Sequence, residues 1–272
     1  MAGREIRLSR LLNGDENAVI IAADHGEFDG PIPGMIDIDD TIARIDPGVD
    51  AVLLSPGMVG RAARLFGARG GPLAVMRLNW STTYCFQWGY RDAATCRAVS
   101  AWEAVRLGAD IALISLTLKT GDEHTDAANV EVFAELREEC AELGLPVIGE
   151  YFPPDADRLS PDELHEQVLI GCRILAELGA DCIKTFHTNR FPDVVAGCPI
   201  PLFGLGASKL PSQLEALELA RREIDEGARG VVFGRNAIQV PDPPAFQRAL
   251  CDVVKHSASP TQAASQHGLT DG

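Results

Sequence analysis

One lysine sits inside an otherwise apolar run, Lys184 in GADCIKTF (179–186). Desolvating an ammonium is costly, so a lysine in a buried strand calls for a reason. The same desolvation favours the neutral amine, which is the nucleophile of Schiff-base chemistry with a ketone. The chain has 24 Lys plus Arg, and only four are lysine: Lys119, Lys184, Lys209 and Lys255. An arginine-biased surface explains the scarcity but not the position of Lys184. The plainer alternative is a strand-end lysine paired with a carboxylate.

Glu150 belongs to the run PVIGEY (146–151), and Phe152 shares its face by the strand period of two. It is a candidate acid/base beside Lys184, or an ion-pair partner that keeps the lysine charged. Tyr151 points to the other face unless Phe152-Pro153-Pro154 kinks the strand. Asp24, at the end of the run AVIIAA in Asp24-His25-Gly26, can hold a substrate hydroxyl or shuttle a proton. His25 can do likewise or bond within its loop.

Two small-residue loops suit an anion. One is FGLGASK, with Gly206, Ala207, Ser208 and Lys209; the other is FGRNAI, with Gly234, Arg235 and Asn236. Backbone N–H groups converging there, beside a cation, would bind a phosphate. The loop 79–91 is rich in aromatics (Trp80, Tyr84, Phe86, Trp88, Tyr90) and reads as a site wall, a lid or a subunit contact. Lys119 follows the fourth run and reaches either the site or solvent; Lys255 reads as surface. His124 and His187 have no partner at metal-ligand spacing.

Eight apolar runs must position these residues: 18–23, 50–55, 73–78, 110–116, 146–151, 181–185, 201–204 and 230–234. They are nearly continuous, as expected of parallel strands buried on both faces. Amphipathic stretches at 129–143, 160–178 and 211–226 alternate with them. Ser160-Pro161-Asp162-Glu163 is a helix start, and LGAD recurs at 107–110 and 178–181 as a helix end running straight into a strand. Tight loops on one rim and long ones on the other predict an α/β fold, a single-domain (β/α)8 TIM barrel. Its site lies at the C-terminal strand ends, with phosphate after the seventh and eighth strands. An open doubly wound sheet would want G-x-G-x-x-G after the first run, where Asp24-His25-Gly26 stands. The barrel is expected over 1–256, with a disordered small, polar tail over 257–272.

The net charge of −15 argues against nucleic acid or an anionic membrane as partner. No run approaches a membrane span, and no secretory signal is visible. Seven cysteines without a C-x-x-C pair point to a reducing cytoplasm.

In order along the chain stand RLSRLLN, AADHGEFDGPIPGMID, DAVLLSPGMV, LGADCIKTFHT, GCPIPLFGLGASK and GVVFGRNAIQ. With these the sequence resembles the archaeal-type class I fructose-bisphosphate aldolases from about Arg4 to Lys255. Relatives of that family include 2-amino-3,7-dideoxy-D-threo-hept-6-ulosonate synthase and the autoinducer-2 phosphate thiolase. The resemblance implies Lys184 as the Schiff-base lysine, Asp24 as a site carboxylate, and phosphate on Gly206, Ala207, Lys209, Gly234 and Arg235. It also implies a homo-oligomer, and no metal or cofactor, because the iminium is the electron sink.

Two departures stand out. The family's Tyr-Pro-Arg-Gly run is Phe152-Pro153-Pro154-Asp155 here, and its Gly-Gly before the seventh-loop lysine is Gly206-Ala207. Without the phenol, Glu150 is expected to take over proton transfer, with Tyr151 as rival. The expected activity is a class I aldolase making or breaking a C–C bond in a phosphorylated ketose-type substrate with a dihydroxyacetone phosphate-like donor. The acceptor could be an amino-aldehyde such as aspartate semialdehyde. The alternatives are fructose-bisphosphate cleavage, a thiolase-type acyl transfer on a phosphorylated dione, and a non-catalytic phosphosugar-binding protein.

Overall fold

The computed structural model describes residues 2–90 and 92–269. Eight parallel strands close into a barrel: β1 (Ala18–Ala22), β2 (Ala51–Leu54), β3 (Leu73–Arg77), β4 (Ile111–Leu116), β5 (Val147–Tyr151), β6 (Cys182–Phe186), β7 (Leu202–Leu205) and β8 (Gly230–Phe233). Each pairs with its neighbours in sequence, and β8 returns to β1. All eight expected runs are strands, and the single-domain (β/α)8 barrel is the fold.

Side chains alternate across the wall. One set, with Val19, Ile21, Val52, Ile114 and Ile183, packs outward against the helices. The other set, with Ile20, Leu53, Val75, Leu113, Ile148, Cys182, Phe203 and Val232, fills the interior. Leu11, from the N-terminal helix Ala2–Leu11, joins that interior cluster and closes the bottom of the barrel. The interior rows change character toward the C-terminal rim. Val75 is followed on its face by Arg77, Leu113 by Ser115, Ile148 by Glu150 and Cys182 by Lys184. The period of two therefore delivers those four side chains into the mouth.

The LGAD rhyme has a structural cause. Gly108 (φ 101°) and Gly179 (φ 94°) adopt the left-handed conformation that ends a helix tightly. The aspartates that follow reach across to the neighbouring strand. Asp110 Oδ2 accepts from Ala74 N at 3.0 Å, and Asp181 Oδ2 accepts from Val147 N at 2.8 Å. Asp50 repeats this on Val19 N at 2.8 Å. The outward oxygens take cations: Arg10 on Asp110, Arg4 on Asp181 and Lys255 on Asp50. Lys255 is thus not merely surface; it clamps the helix Pro243–Lys255 to the base of the barrel.

The expectation for the tail needs correction. Within the tail 257–272, expected to be disordered, Pro260–Gln266 is a helix. Ser259 caps it, the methyl of Ala263 is fully buried, and His267 bonds Asp252 at 2.7 Å. Small side chains let this helix lie close on its neighbours, so low hydrophobicity did not prevent packing. Residues 270–272 lie outside the described residues. At the start of the aromatic loop, Asn79–Ser81 pairs antiparallel with Thr95–Arg97 beyond its end.

Candidate active site

The mouth of the barrel holds a continuous chain of buried charges. Lys184 Nζ lies 2.5 Å from Glu150 Oε1, its register partner on the adjacent strand. Glu150 Oε2 accepts from Arg77 Nη2 at 2.7 Å, and Arg77 Nε donates to Asp24 Oδ2 at 2.7 Å. All four residues are buried. Two cations and two carboxylates alternate, so the array is neutral as a whole, the condition under which charge survives burial. The guanidinium also lies beside a pair of packed rings, 5.1 Å from the Phe28 centroid and 4.9 Å from that of Tyr84. Such desolvated contacts contribute up to about 2 kcal/mol each.

The electrostatics follow from this order. Burial opposes ionisation of Asp24, but Arg77 and Lys184 outweigh it and hold its carboxyl at about 2. Glu150 is likewise opposed by burial and held below its ordinary value by Arg77 and Lys184. Burial pushes His25 down to about 4, against the pull of Asp24, so its imidazole is neutral at physiological pH.

A cavity open to solvent lies over Lys184 and Glu150. Asp24, His25, Gly206, Ala207, Gly234 and Arg235 also line it, so most of the expected site residues meet there. An outer vestibule shares Gly206, Ala207 and Arg235 with this cavity and adds Ser208 and Lys209.

The two small-residue loops are stapled together by Asn236. Its Nδ2 donates to Gly206 O at 2.7 Å and Ser208 O at 3.0 Å, and its Oδ1 accepts from Leu210 N at 2.8 Å. Arg235 Nη2 adds a bond to Ala207 O at 3.0 Å. Ala207 sits at φ 48°, a conformation that suits glycine better. At Gly234 a Cβ would fall 2.3 Å from His25 Cε1, so the glycine admits the imidazole. His25 thus has a packing role against the β8 loop as well as a place in the cavity wall.

Tyr151 does not join the site. It points outward between β5 and the helix Pro161–Glu177, where a Cβ on Gly171 would fall 2.2 Å from its ring. The strand stays regular through Glu150, so the kink that would have turned Tyr151 inward is absent. Lys119 is exposed on its loop and lines neither the cavity nor the vestibule.

Arg77, the residue that joins the two carboxylates, is not among the residues singled out from the sequence. Its signal was the same as that of Lys184: a charge ending an apolar strand, LAVMRL. The aromatic loop also divides. Tyr84 and Phe86 line the cavity, and Phe152 packs on Tyr84 with ring centroids 4.7 Å apart. Trp88 and Tyr90 stack on each other, exposed, away from it. Such a division depends on loop conformation, which spacing alone does not give.

A parallel barrel with a buried strand lysine at its C-terminal mouth, backed by a carboxylate, defines an imine-forming type of site. The chain belongs to the DeoC/LacD family of aldolases, whose family model matches residues 18–240. It is similar to an uncharacterized aldolase of Saccharolobus solfataricus, 29% identical over 95% of this chain and 96% of the relative. It is also similar to the 3-hydroxy-5-phosphonooxypentane-2,4-dione thiolase of Escherichia coli, 31% identical over 96% of this chain and 85% of that enzyme. Among solved structures, it resembles an archaeal fructose-1,6-bisphosphate aldolase whose catalytic lysine is covalently bound to the carbinolamine intermediate of the substrate. That likeness has a TM-score of 0.77 and 25% identity, and covers 92% of this chain and 99% of that one. The family is that of class I, Schiff-base aldolases.

Proposed function

We propose that the protein makes or breaks a C–C bond in a phosphorylated ketose-type substrate through an imine on Lys184. The contact between Lys184 Nζ and Glu150 carries this reading. Glu150 is placed to take the ammonium proton, which frees the amine to attack a donor ketone. Loss of water gives an iminium whose positive charge sits where the ammonium was, still beside the Glu150 carboxylate. The iminium draws electrons from the adjacent carbon, so the step needs neither metal nor cofactor. Arg77 holds Glu150 and Asp24 in place, and Asp24 faces the cavity as the partner for a substrate hydroxyl.

The donor's phosphate is assigned to Gly206, Ala207, Ser208, Lys209, Gly234 and Arg235. Asn236 fixes the two loops, and two cations stand beside them. This supports a dihydroxyacetone phosphate-like donor. Phe152 in place of the family's tyrosine inclines the reading toward synthesis with an amino-aldehyde acceptor such as aspartate semialdehyde. The exposed stacked pair Trp88 and Tyr90 fits a subunit contact in a homo-oligomer. Seven free cysteines suit a reducing, cytoplasmic setting. Among the described residues no helix is long and apolar enough to cross a membrane.

The similarity to a thiolase over 96% of the chain favours a second reading, acyl transfer from a phosphorylated dione with the same lysine. The two are separated by incubating the protein with phosphorylated ketones and diones, with and without coenzyme A and a panel of aldehydes. Aldol products formed without coenzyme A support the first reading. Acyl-coenzyme A as sole product overturns it in favour of the second.

A further inference from the structure

We propose that Tyr84 is the acid/base that serves the acceptor oxygen, working as a relay with Glu150; this rests on the imine reading of Lys184. Tyr84 is buried, yet lines the cavity over Lys184. Among the described residues its phenolic oxygen has no hydrogen-bond partner of good geometry, and it faces Glu150 and Ser115. A buried hydroxyl left without a partner is costly, and where it faces a cavity a ligand can supply that partner.

The phenol is held firmly. Thr82–Tyr84 forms a single turn capped by Ser81, and Thr83 Oγ1 bonds Thr117 Oγ1 at 3.2 Å. The ring packs between Phe28 and Phe152, at centroid distances of 4.8 and 4.7 Å, beside the Arg77 guanidinium. Burial and then the Glu150 charge raise the phenol well above its ordinary value, so it carries its proton at neutral pH.

The step balances within the site. Once the iminium has formed, Glu150 removes a proton from the donor carbon, and the C–H electron pair becomes the enamine double bond. The enamine attacks the acceptor carbonyl; a C–C bond forms and the carbonyl π pair moves to oxygen. Tyr84 gives that oxygen its phenolic proton and recovers one from Glu150. The proton that left carbon thus ends on oxygen, and cleavage runs the same steps backward.

The relay divides the reaction into two measurable halves. Proton exchange at the donor carbon needs Lys184 and Glu150 but not Tyr84; C–C bond turnover needs all three. The probe is dihydroxyacetone phosphate, with exchange in deuterium oxide followed by NMR and turnover measured with an aldehyde panel. Tyr84→Phe keeps every ring contact. It is expected to leave exchange, and borohydride trapping on Lys184, within about threefold of the parent protein, while turnover falls about 100- to 10,000-fold. Turnover within about threefold of the parent overturns the proposal, as does an equal fall in exchange and turnover. A parent protein that neither exchanges nor forms an adduct overturns the imine reading itself, and the relay with it.

Discussion

The barrel wall buries two glutamates on its two faces, and they are treated in opposite ways. Glu150 points into the mouth, with Lys184 on one oxygen and Arg77 on the other. Glu223, on the helix Gln213–Asp225, points at β7 from outside, and neither of its carboxylate oxygens has a hydrogen-bond partner among the described residues. Both residues are essentially free of solvent. Cations hold Glu150 ionised, whereas burial, reinforced by Glu226, raises Glu223 well above its ordinary value so that it keeps its proton. Burial alone therefore does not mark a working carboxylate. What distinguishes Glu150 is compensation: its charge is stabilised beside the lysine that the imine proposal requires to lose and regain a proton.

Arg77 is the cation on which the ionised state of Glu150 depends most. Arg77→Met leaves Glu150 and Asp24 short of their shared cation, and is expected to cost about 3–5 kcal/mol in denaturant unfolding. Adding Glu150→Gln to that chain should return part of the loss, since one uncompensated charge is then removed. An Arg77→Met protein as stable as the parent would mean that the buried array is not held by charge.

The next effect is on rate. Glu150→Gln should lower turnover about 100- to 10,000-fold, whereas Glu223→Gln should leave it unchanged. Steady-state kinetics of the two variants side by side test whether the contrast is functional.

Gly204 sharpens the comparison sterically. A Cβ there would fall 2.1 Å from Glu223 Cδ, so the glycine is the notch into which the carboxyl fits. Gly204→Ala is expected to cost about 1–3 kcal/mol by overpacking. Glu223→Ala in the same chain should relieve the clash, and a double-mutant cycle reads the coupling.

The smallest effect depends on pH. As pH rises past 4.5, the ordinary value for glutamate, the unfolded chain releases the Glu223 proton while the folded protein keeps it. Stability then falls with rising pH, by up to about 1.4 kcal/mol per unit. Glu223→Gln removes this slope, so its melting temperature should exceed that of the parent at pH 8 and match it near pH 4. Asp24 acts in the opposite direction. Held at about 2, its contribution is present above its ordinary 3.8 and is lost as pH falls from there toward 2.

Much of this was legible in the sequence because strand geometry is periodic. Continuous apolar runs gave the eight strands, and Glu150 and Lys184 stood out as charges inside two of those runs. Counting by twos set Tyr151 on the opposite face from Glu150, and Gly171 against its ring confirms the side. Arg77 obeys the identical rule and was missed only because a charge at a strand end passes easily for a solvated one. Tyr84 follows no such rule, since the turn and ribbon that aim it depend on Asn79. That amide bonds Ser115 N and O on β4, a contact between residues 36 apart in sequence. The tail helix has no apolar stripe to announce it: Ala263 is its buried side chain, and the bond from His267 to Asp252 lies beyond its end.

The imine proposal stands or falls with Lys184. Borohydride reduction in the presence of dihydroxyacetone phosphate and related phosphorylated ketones, followed by peptide mass spectrometry, tests it directly. One reduced donor on the peptide carrying Lys184, and none in a Lys184→Met protein, is the predicted result. An adduct on another lysine, or no adduct with any phosphorylated ketone, would contradict it.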